Sequence, residues 1–373
     1  MRILFAFVVA VTLAACASPS QSEPSTPGDV AGTPPWIEIV DDARWAANAH
    51  NVQSWRLRVE PDGSVTGGLD PSRLLPETDP VGRQLVISLG TLSEAARRAA
   101  RARGWTLEAT WIAPTDWSLD ADPGADLFRW TATPLAGATP AAGDILDGLT
   151  TPTVKYAIAP ETVPTDLARS IPATYSNADR GIRVLVEAGT PRTLTTMKLA
   201  RAAFAVEMRH EPTLMESYTL TRIGNRERRE TPWGLSLNAN FGRLAFTFVD
   251  PITTLFRQTP EQFGESGIDL FNGAVQDEGG LVVLTTSDND PATWFAAGLP
   301  LQALWMELRA AGLELLPLSQ GLQEYPEVAE FYGQFHDLWV PDGGTVQMIL
   351  YVGAPSARVY PSPRLAAEAV VVQ

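Results

Sequence analysis

The chain has 373 residues, with 43 Asp and Glu against 28 Lys and Arg, a formal charge of −15 and only two lysines, Lys155 and Lys198. Neutralising a phosphate backbone needs a basic face, so this balance argues against a nucleic-acid partner. The single cysteine, Cys16, excludes an internal disulfide and a thiolate metal site, and the three histidines, His50, His210 and His336, lie too far apart in sequence to suggest a His-rich metal centre.

Arg2 is the only early charge, and the apolar run Ile3 to Val11 leads into Leu13-Ala14-Ala15-Cys16. That run is too short to cross a bilayer. Small residues directly before a cysteine suit a processing site, so residues 1–15 read as a signal peptide, and the motif resembles the lipobox of bacterial lipoproteins, with Cys16 as the lipidated residue. An ordinary signal peptide with an incidental cysteine is the alternative. Residues 16–35 then form the lipidated Cys and a disordered tether rich in Pro, Ser, Gly and Thr. Later segments hold no apolar run long enough to span, so the expected bilayer contact is through the lipid. Ala17 after the cysteine favours the outer membrane if the host has two.

Trp36 to Ala49 carries apolar residues at helical spacing, and Trp55 to Val59 alternates as a strand before a Pro61-Asp62-Gly63 turn. A long helix is expected from Val81 to Arg103, stopped by Gly104, followed by strands over Thr106 to Ile112 and Leu127 to Thr133. Ile182 to Glu187 reads as a strand and a helix starts near Arg192. Pro212 to about Gly280 shows no clear period. Then come a strand (Leu281 to Thr286), a helix (Pro291 to Ala311, stopped by Gly312), a helix (Pro326 to Phe335) and a strand (Val346 to Val352).

GTLSEAARRAARARGWTLEA, from Gly90, aligns with GLPLQALWMELRAAGLELLP, from Gly298. Gly90 matches Gly298, Gly104 matches Gly312, and Ala95, Arg101, Ala102 and Leu107 match Ala303, Arg309, Ala310 and Leu315. A helix, a stopping glycine and a strand thus recur at one offset, which suggests a duplicated domain packed on its twin.

Elbow, Walker, dinucleotide and metalloprotease signatures are absent. The distinctive stretch is AANAHNVQSWRLRV (Ala46 to Val59), followed by GGLDPSRLLPETDPVGRQLVISLG (Gly67 to Gly90). Its His50, Asn51, Gln53 and Trp55, then Asp70, Arg73, Leu75, Asp79, Gly82, Arg83, Leu85 and Gly90, resemble the motifs of the Acg-like branch of the nitroreductase superfamily. Thr285 to Gln323 resembles a second superfamily segment, whose loop after a proline runs along the flavin; Pro317, Leu318, Ser319 and Gln320 take that place. PSPRLAAEAVV resembles the closing region, with Arg364 at the phosphate-binding arginine. The chain departs from the pattern at Ala47-Asn48-Ala49, at Ser54 for a proline, and at Arg364-Leu365, where the family has two arginines.

The resemblance implies an α+β, nitroreductase-like fold of two fused halves, 36–180 and 181–373, each with a mixed, mainly antiparallel sheet flanked by helices. It implies one FMN site between the halves, with NAD(P)H as a candidate donor and a nitroaromatic or quinone-like molecule as acceptor. Amides for the polar edge of an isoalloxazine, hydroxyl partners for a ribityl chain and a guanidinium for a phosphate are chemically sensible. A flavin-binding or storage protein without turnover and a cofactor-free envelope scaffold are the competing readings. On the residues alone, His50 and Asn51 fit a structural turn, Trp55 core, Asp79 a helix N-cap, Arg73 and Arg83 local ion pairs, and His210 and His336 surface or satisfied positions.

Overall fold

A computed structural model describes residues 32–136, 158–236, 257–356 and 361–372. Cys16 and the expected signal peptide lie outside them. The first half holds α1 (Trp36–Ala43), β1 (Arg56–Val59), β2 (Val65–Gly68), α2 (Arg83–Ala102), β3 (Trp105–Trp111) and β4 (Phe128–Pro134). There follow β5 (Ile158–Pro160), α3 (Thr165–Tyr175), β6 (Ile182–Ala188), α4 (Pro191–Glu207), α5 (Glu211–Leu220), β7 (Thr221–Arg222), α6 (Gly224–Glu230), β8 (Leu235–Ser236) and α7 (Pro260–Ala274). The chain continues through β9 (Gly280–Thr286), α8 (Pro291–Ala310), β10 (Glu314–Pro317), α9 (Ala329–Trp339), β11 (Thr345–Pro355), α10 (Ala367–Val370) and β12 (Val371–Val372).

The strand orders are β1-β2-β4-β3 in the first sheet and β6-β9-β11-β10 in the second, so the two halves follow one path. Helices α2 and α8 are each 20 residues long and begin at Arg83 and Pro291, the same offset as the aligned glycines. Gly104 and Gly312, with φ of 78° and 82°, terminate both helices in the left-handed conformation that glycine adopts without a Cβ penalty. The fold is α+β, with both sheets flanked by helices.

The two long helices cross at the aligned pair. A Cβ on Gly90 would lie 2.1 Å from the Phe295 carbonyl oxygen and 2.8 Å from Gly298 Cα, and one on Gly298 would lie 2.1 Å from the Ile87 oxygen and 2.7 Å from Gly90 Cα. Corresponding residues of two copies touch each other only near a twofold axis, so this contact places the pseudo-symmetry axis of the fused pair. Because α2 lies between its own sheet and α8, even Gln84, Ser88, Thr91 and Ser93 are buried.

Strand pairing divides the chain differently from the expected boundary at 180/181. Strand β5 pairs with β11 and α3 packs on β6, so residues from 158 onward already belong to the second sheet. Strand β12, at the far end of the chain, pairs in parallel with β1, Leu57 opposite Val371. That last pairing makes the first sheet mixed, whereas the second is antiparallel throughout among the described residues. One apolar cluster runs through both halves, joining Leu57, Leu85 and Trp130 to Val184, Leu284 and Leu304, and a second lies beyond the second sheet around Met197, Phe271 and Phe335.

The expected irregular stretch from Pro212 is largely helical where it is described. Pro212 sits in the first turn of α5, where its missing N–H costs nothing, and Thr259 and Gln262 form a reciprocal capping box on α7. Glycines hide α7 from a propensity reading. Gly264 is there because a side chain would meet the Met208 carbonyl oxygen at 2.4 Å.

Asp79 accepts the backbone N–H groups of Gln84 and Leu85 at 3.0 and 2.9 Å and so caps the start of α2. Arg83, by contrast, makes no local pair. Its guanidinium is buried, pairs with Glu324 of the other half, and donates to the Gln347 carbonyl at 2.9 Å and to the Leu322 carbonyl. Removing one member of a buried pair leaves an uncompensated charge, so Arg83→Ala should destabilise the chain by about 3–5 kcal/mol. Urea unfolding measures this, and a loss under about 1 kcal/mol would show that Arg83 does not lock the halves.

Candidate functional site

The lead-in to β1 holds three non-glycine residues in the left-handed region: His50 (φ 45°), Asn51 (54°) and Gln53 (49°). Such conformations cost on the order of 1 kcal/mol each and persist only where surroundings enforce them. Here the enforcement comes from four other segments. Asn51 donates to the carbonyls of Gly234 and Pro363 at 3.0 and 3.2 Å. Gln53 donates to Pro232 at 3.0 Å and accepts the Leu365 N–H at 2.8 Å. The amides of Ala47 and Ala49 donate to Gln302 of α8 at 3.0 Å and Ser88 of α2 at 3.1 Å.

This clamped turn forms one wall of a cavity of about 230 Å³ between the halves. A single water needs only roughly 10–15 Å³ measured this way, so the space suits an organic ligand. Ala47 to Asn51 meet Gln84, Ile87, Ser88 and Thr91 of α2, and opposite them stand Leu301 and Trp305 of α8 and Pro317, Ser319 and Gln320 after β10. Ser362 and Arg364 come from the chain's end, and Phe204, Glu207, Met208, Phe263, Leu270 and Phe271 come from the helices inserted between β6 and β9. Phe204 and Phe271 stack face to face, 4.1 Å apart.

Of the sequence-selected residues, His50, Asn51, Pro317, Ser319, Gln320 and Arg364 line this cavity. Gln53, Trp55 and Leu318 do not. Gln53 is fully buried and spends its side chain on backbone groups, which sets the turn rather than a ligand. Trp55 is packed in the shared core. Leu318 has its side chain in the second apolar cluster and its amide bonded to the Ile349 carbonyl at 2.8 Å, so that N–H is unavailable to a ligand.

Arg364 is the cavity's cation. It donates to the carbonyls of Arg44 at 2.8 Å, Ser362 at 3.2 Å, Pro363 at 3.4 Å and Ala46 at 3.5 Å. Burial, with the neighbouring Arg44 charge, pushes its pKa down to about 9, and no carboxylate contributes among the described residues. Trp45 lies under both guanidinium groups, 5.3 Å from that of Arg44 and 5.6 Å from that of Arg364. A cation held by carbonyls and an indole at a cavity wall is arranged to accept an anion.

Other wall atoms also await partners. Trp305 Nε1, Gln320 Oε1 and Ser217 Oγ are buried with no hydrogen-bond partner among the described residues. A ligand carrying both donors and acceptors would satisfy them. Gln84, Ser88 and Thr91 were missed in the sequence, although their spacing of four and three along an alanine-rich helix marks one polar stripe. Glu207, Trp305 and Ser362 left no comparable signal, because their faces depend on the neighbouring half.

No protein-family model matches the sequence, and no curated protein matches it. Solved structures do resemble it. An FMN-bound nitroreductase from Desulfitobacterium hafniense shares 14% identity over 61% of this chain and 97% of its own, with a TM-score of 0.35. An FMN- and NADPH-dependent nitroreductase from a Sphigopyxis strain shares 17% over 61% of this chain and 97% of its own (TM-score 0.38). A nitroreductase-like family protein from Bacillus cereus shares 12% over 61% and 93% (TM-score 0.32). At this distance the chemistry rests on the residues of the cavity.

Proposed function

We propose that this chain binds FMN between its halves and acts as a flavin-dependent oxidoreductase, passing hydride or electrons to a nitroaromatic or quinone-like acceptor. The observation that carries the reading is Arg364, a cation with no carboxylate partner among the described residues, at the wall of a cavity where Trp305 Nε1, Gln320 Oε1 and Ser217 Oγ also lack partners among those residues. The residues fit the group. Arg364 and Ser362 would hold its phosphate, and Asn51, Gln84, Ser88 and Thr91 offer partners to the ribityl hydroxyls. Trp305 and Gln320 would bond the polar edge of the ring, with Ile87, Leu301 and Met348 against its faces.

When bound, FMN supplies the two-electron chemistry, and the protein supplies orientation and shielding. Phe204, Met208, Phe263, Leu270 and Phe271 form an apolar ceiling that keeps water away and suits a planar, uncharged partner. Among its described residues the cavity carries only His50, Glu207 and Arg364 as ionisable groups, so selection by charge is weak at the ceiling. Titration of the purified chain with FMN, followed by flavin fluorescence and gel filtration, tests the reading. No binding at roughly 100 μM, an affinity weaker than about −5.5 kcal/mol, would reject it.

That ceiling favours a second reading, flavin storage without turnover, because helices inserted over a cavity also restrict access. Anaerobic mixing with NADH or NADPH separates the two. Reduction of the bound flavin within seconds supports turnover with a nicotinamide donor, and none over an hour supports storage or another donor.

We further propose export and lipidation at Cys16, anchoring the chain in the cell envelope. The lipobox-like residues support this, and no helix among the described residues is long and apolar enough to cross a membrane. Cys16→Ser should move the protein from the membrane to the soluble fraction of cells; unchanged membrane retention would reject lipidation.

A further inference from the structure

The flavin reading leaves one buried hydroxyl of the cavity wall without a role. Along α5 and into its C-terminal cap, Thr213, Ser217 and Thr221 recur every four residues, and all three are buried. A buried hydroxyl on a helix ordinarily donates back to a carbonyl about one turn earlier. Thr221 does so, to the Ser217 carbonyl at 2.8 Å, and Thr213 reaches the carbonyls of Glu207 at 2.7 Å and His210 at 3.1 Å. Ser217 breaks the pattern. Its Oγ has no hydrogen-bond partner among the described residues, although the residue is 1% exposed and lines the cavity. An unmatched buried hydroxyl costs stability, so its place at a cavity wall points to a ligand that accepts from it.

The surroundings define that ligand. Phe204, Met208, Phe263 and Phe271 line the same cavity, and Phe204 and Phe271 form a parallel stack. Gln258, exposed at the rim, donates to Ser266 Oγ at 2.9 Å, so those two rim groups are joined to each other. A serine hydroxyl supplies one donor, and its match among apolar and aromatic walls is an uncharged oxygen on a flat apolar body. We propose that Ser217 donates a hydrogen bond to the oxygen of the electron acceptor, a quinone carbonyl or a nitro group, and so selects oxygen-bearing aromatics over hydrocarbons of the same shape. The acceptor's place in a reaction rests on the flavin reading; the hydrogen bond does not. A hydrocarbon in the same place would leave the hydroxyl unpaired, and a site discriminates more strongly through such a loss than through an added methylene.

Acetophenone and ethylbenzene have similar shapes and differ in this oxygen, which makes them the probes. Their dissociation constants for the FMN-loaded chain are measured by ligand-detected nuclear magnetic resonance. Ser217→Ala should weaken acetophenone about 3- to 10-fold, the loss of one neutral hydrogen bond, and leave ethylbenzene within about twofold. Ser217→Cys, similar in size with a weaker donor, should fall between. Equal losses for the two ligands would mean that Ser217 only supports the wall. That result would overturn the proposal, as would acetophenone binding unchanged in Ser217→Ala or no saturable acetophenone binding to wild type.

A second measurement reads the acceptor itself. The FMN-loaded chain is photoreduced without oxygen and mixed with subsaturating benzoquinone. Ser217→Ala should slow reoxidation by a factor similar to its loss of acetophenone affinity, with FMN affinity within about twofold of wild type. An unchanged reoxidation rate would overturn the assignment of the acceptor to Ser217. Failure of the wild-type chain to bind FMN instead overturns the flavin reading, and the comparison of acetophenone with ethylbenzene on the cofactor-free chain then decides the Ser217 hydrogen bond alone.

Discussion

Substituting valine for Gly298 is expected to destabilise the protein by about 3 kcal/mol or more, at the upper end of overpacking costs. The added Cβ alone would sit 2.1 Å from the Ile87 carbonyl oxygen and 2.7 Å from Gly90 Cα, both backbone atoms that cannot rotate away. Helices α2 and α8 would have to separate, and the side chains that interlock along them would lose contact. Removing glycine from a helix interior favours the helix by at most about 1 kcal/mol, so the clash dominates. Gly90→Val should behave alike, since the two positions face each other. Gly273→Ala is the control: it lies in α7 with nothing within 4 Å of the added carbon, and should be neutral or slightly stabilising. Urea unfolding of the three variants decides the matter; a Gly298 variant as stable as the Gly273 variant would contradict the crossing. The same helices wall the cavity, so any surviving Gly298→Val protein should also bind FMN more weakly.

Arg364→Ala should raise the FMN dissociation constant about 10- to 100-fold, the equivalent of one charge-assisted hydrogen bond at roughly 1.5–3 kcal/mol. Its carbonyl partners from Arg44 and Ala46 orient the guanidinium without neutralising it, so its charge is available to a phosphate. Riboflavin, which lacks the phosphate, should bind wild type and variant alike. Arg364→Lys should fall between, keeping the charge and losing the fork. Equal losses for FMN and riboflavin would mean that Arg364 supports the cavity wall instead of holding a phosphate. Folding stability should fall by about 1–3 kcal/mol, because the Arg44 and Ala46 carbonyls lose a buried donor.

Several residues were legible at the right place for a different reason. His50 and Asn51 were selected by their motif and do line the cavity, and both also lie in the strained turn that shapes it. Gln53 belongs to the same motif, yet its importance is in tying residues 48–53 to Pro232 and Leu365. Asp79 and Arg83 stand four residues apart in one conspicuous run and do unlike work, a helix cap and a bond across the halves. A charged residue's partner cannot be read from its neighbours in sequence when burial brings in a group more than two hundred residues away.

Sequence by itself determined the elements with clear periods, the two glycine-stopped helices and their common offset. Those follow from local chemistry: helical spacing of apolar groups and the backbone freedom of glycine. Arg364 was marked only by the resemblance of PSPRLAAEAVV to a family's closing region, and it does line the cavity. Only the tertiary structure decided that Gly90 touches Gly298, that the last strand completes the first sheet, and that the inserted helices roof the cavity with Glu207 among apolar side chains. Each of these depends on which surfaces exclude water together, and that is a property of packed faces from distant segments, with no period along the chain to announce it.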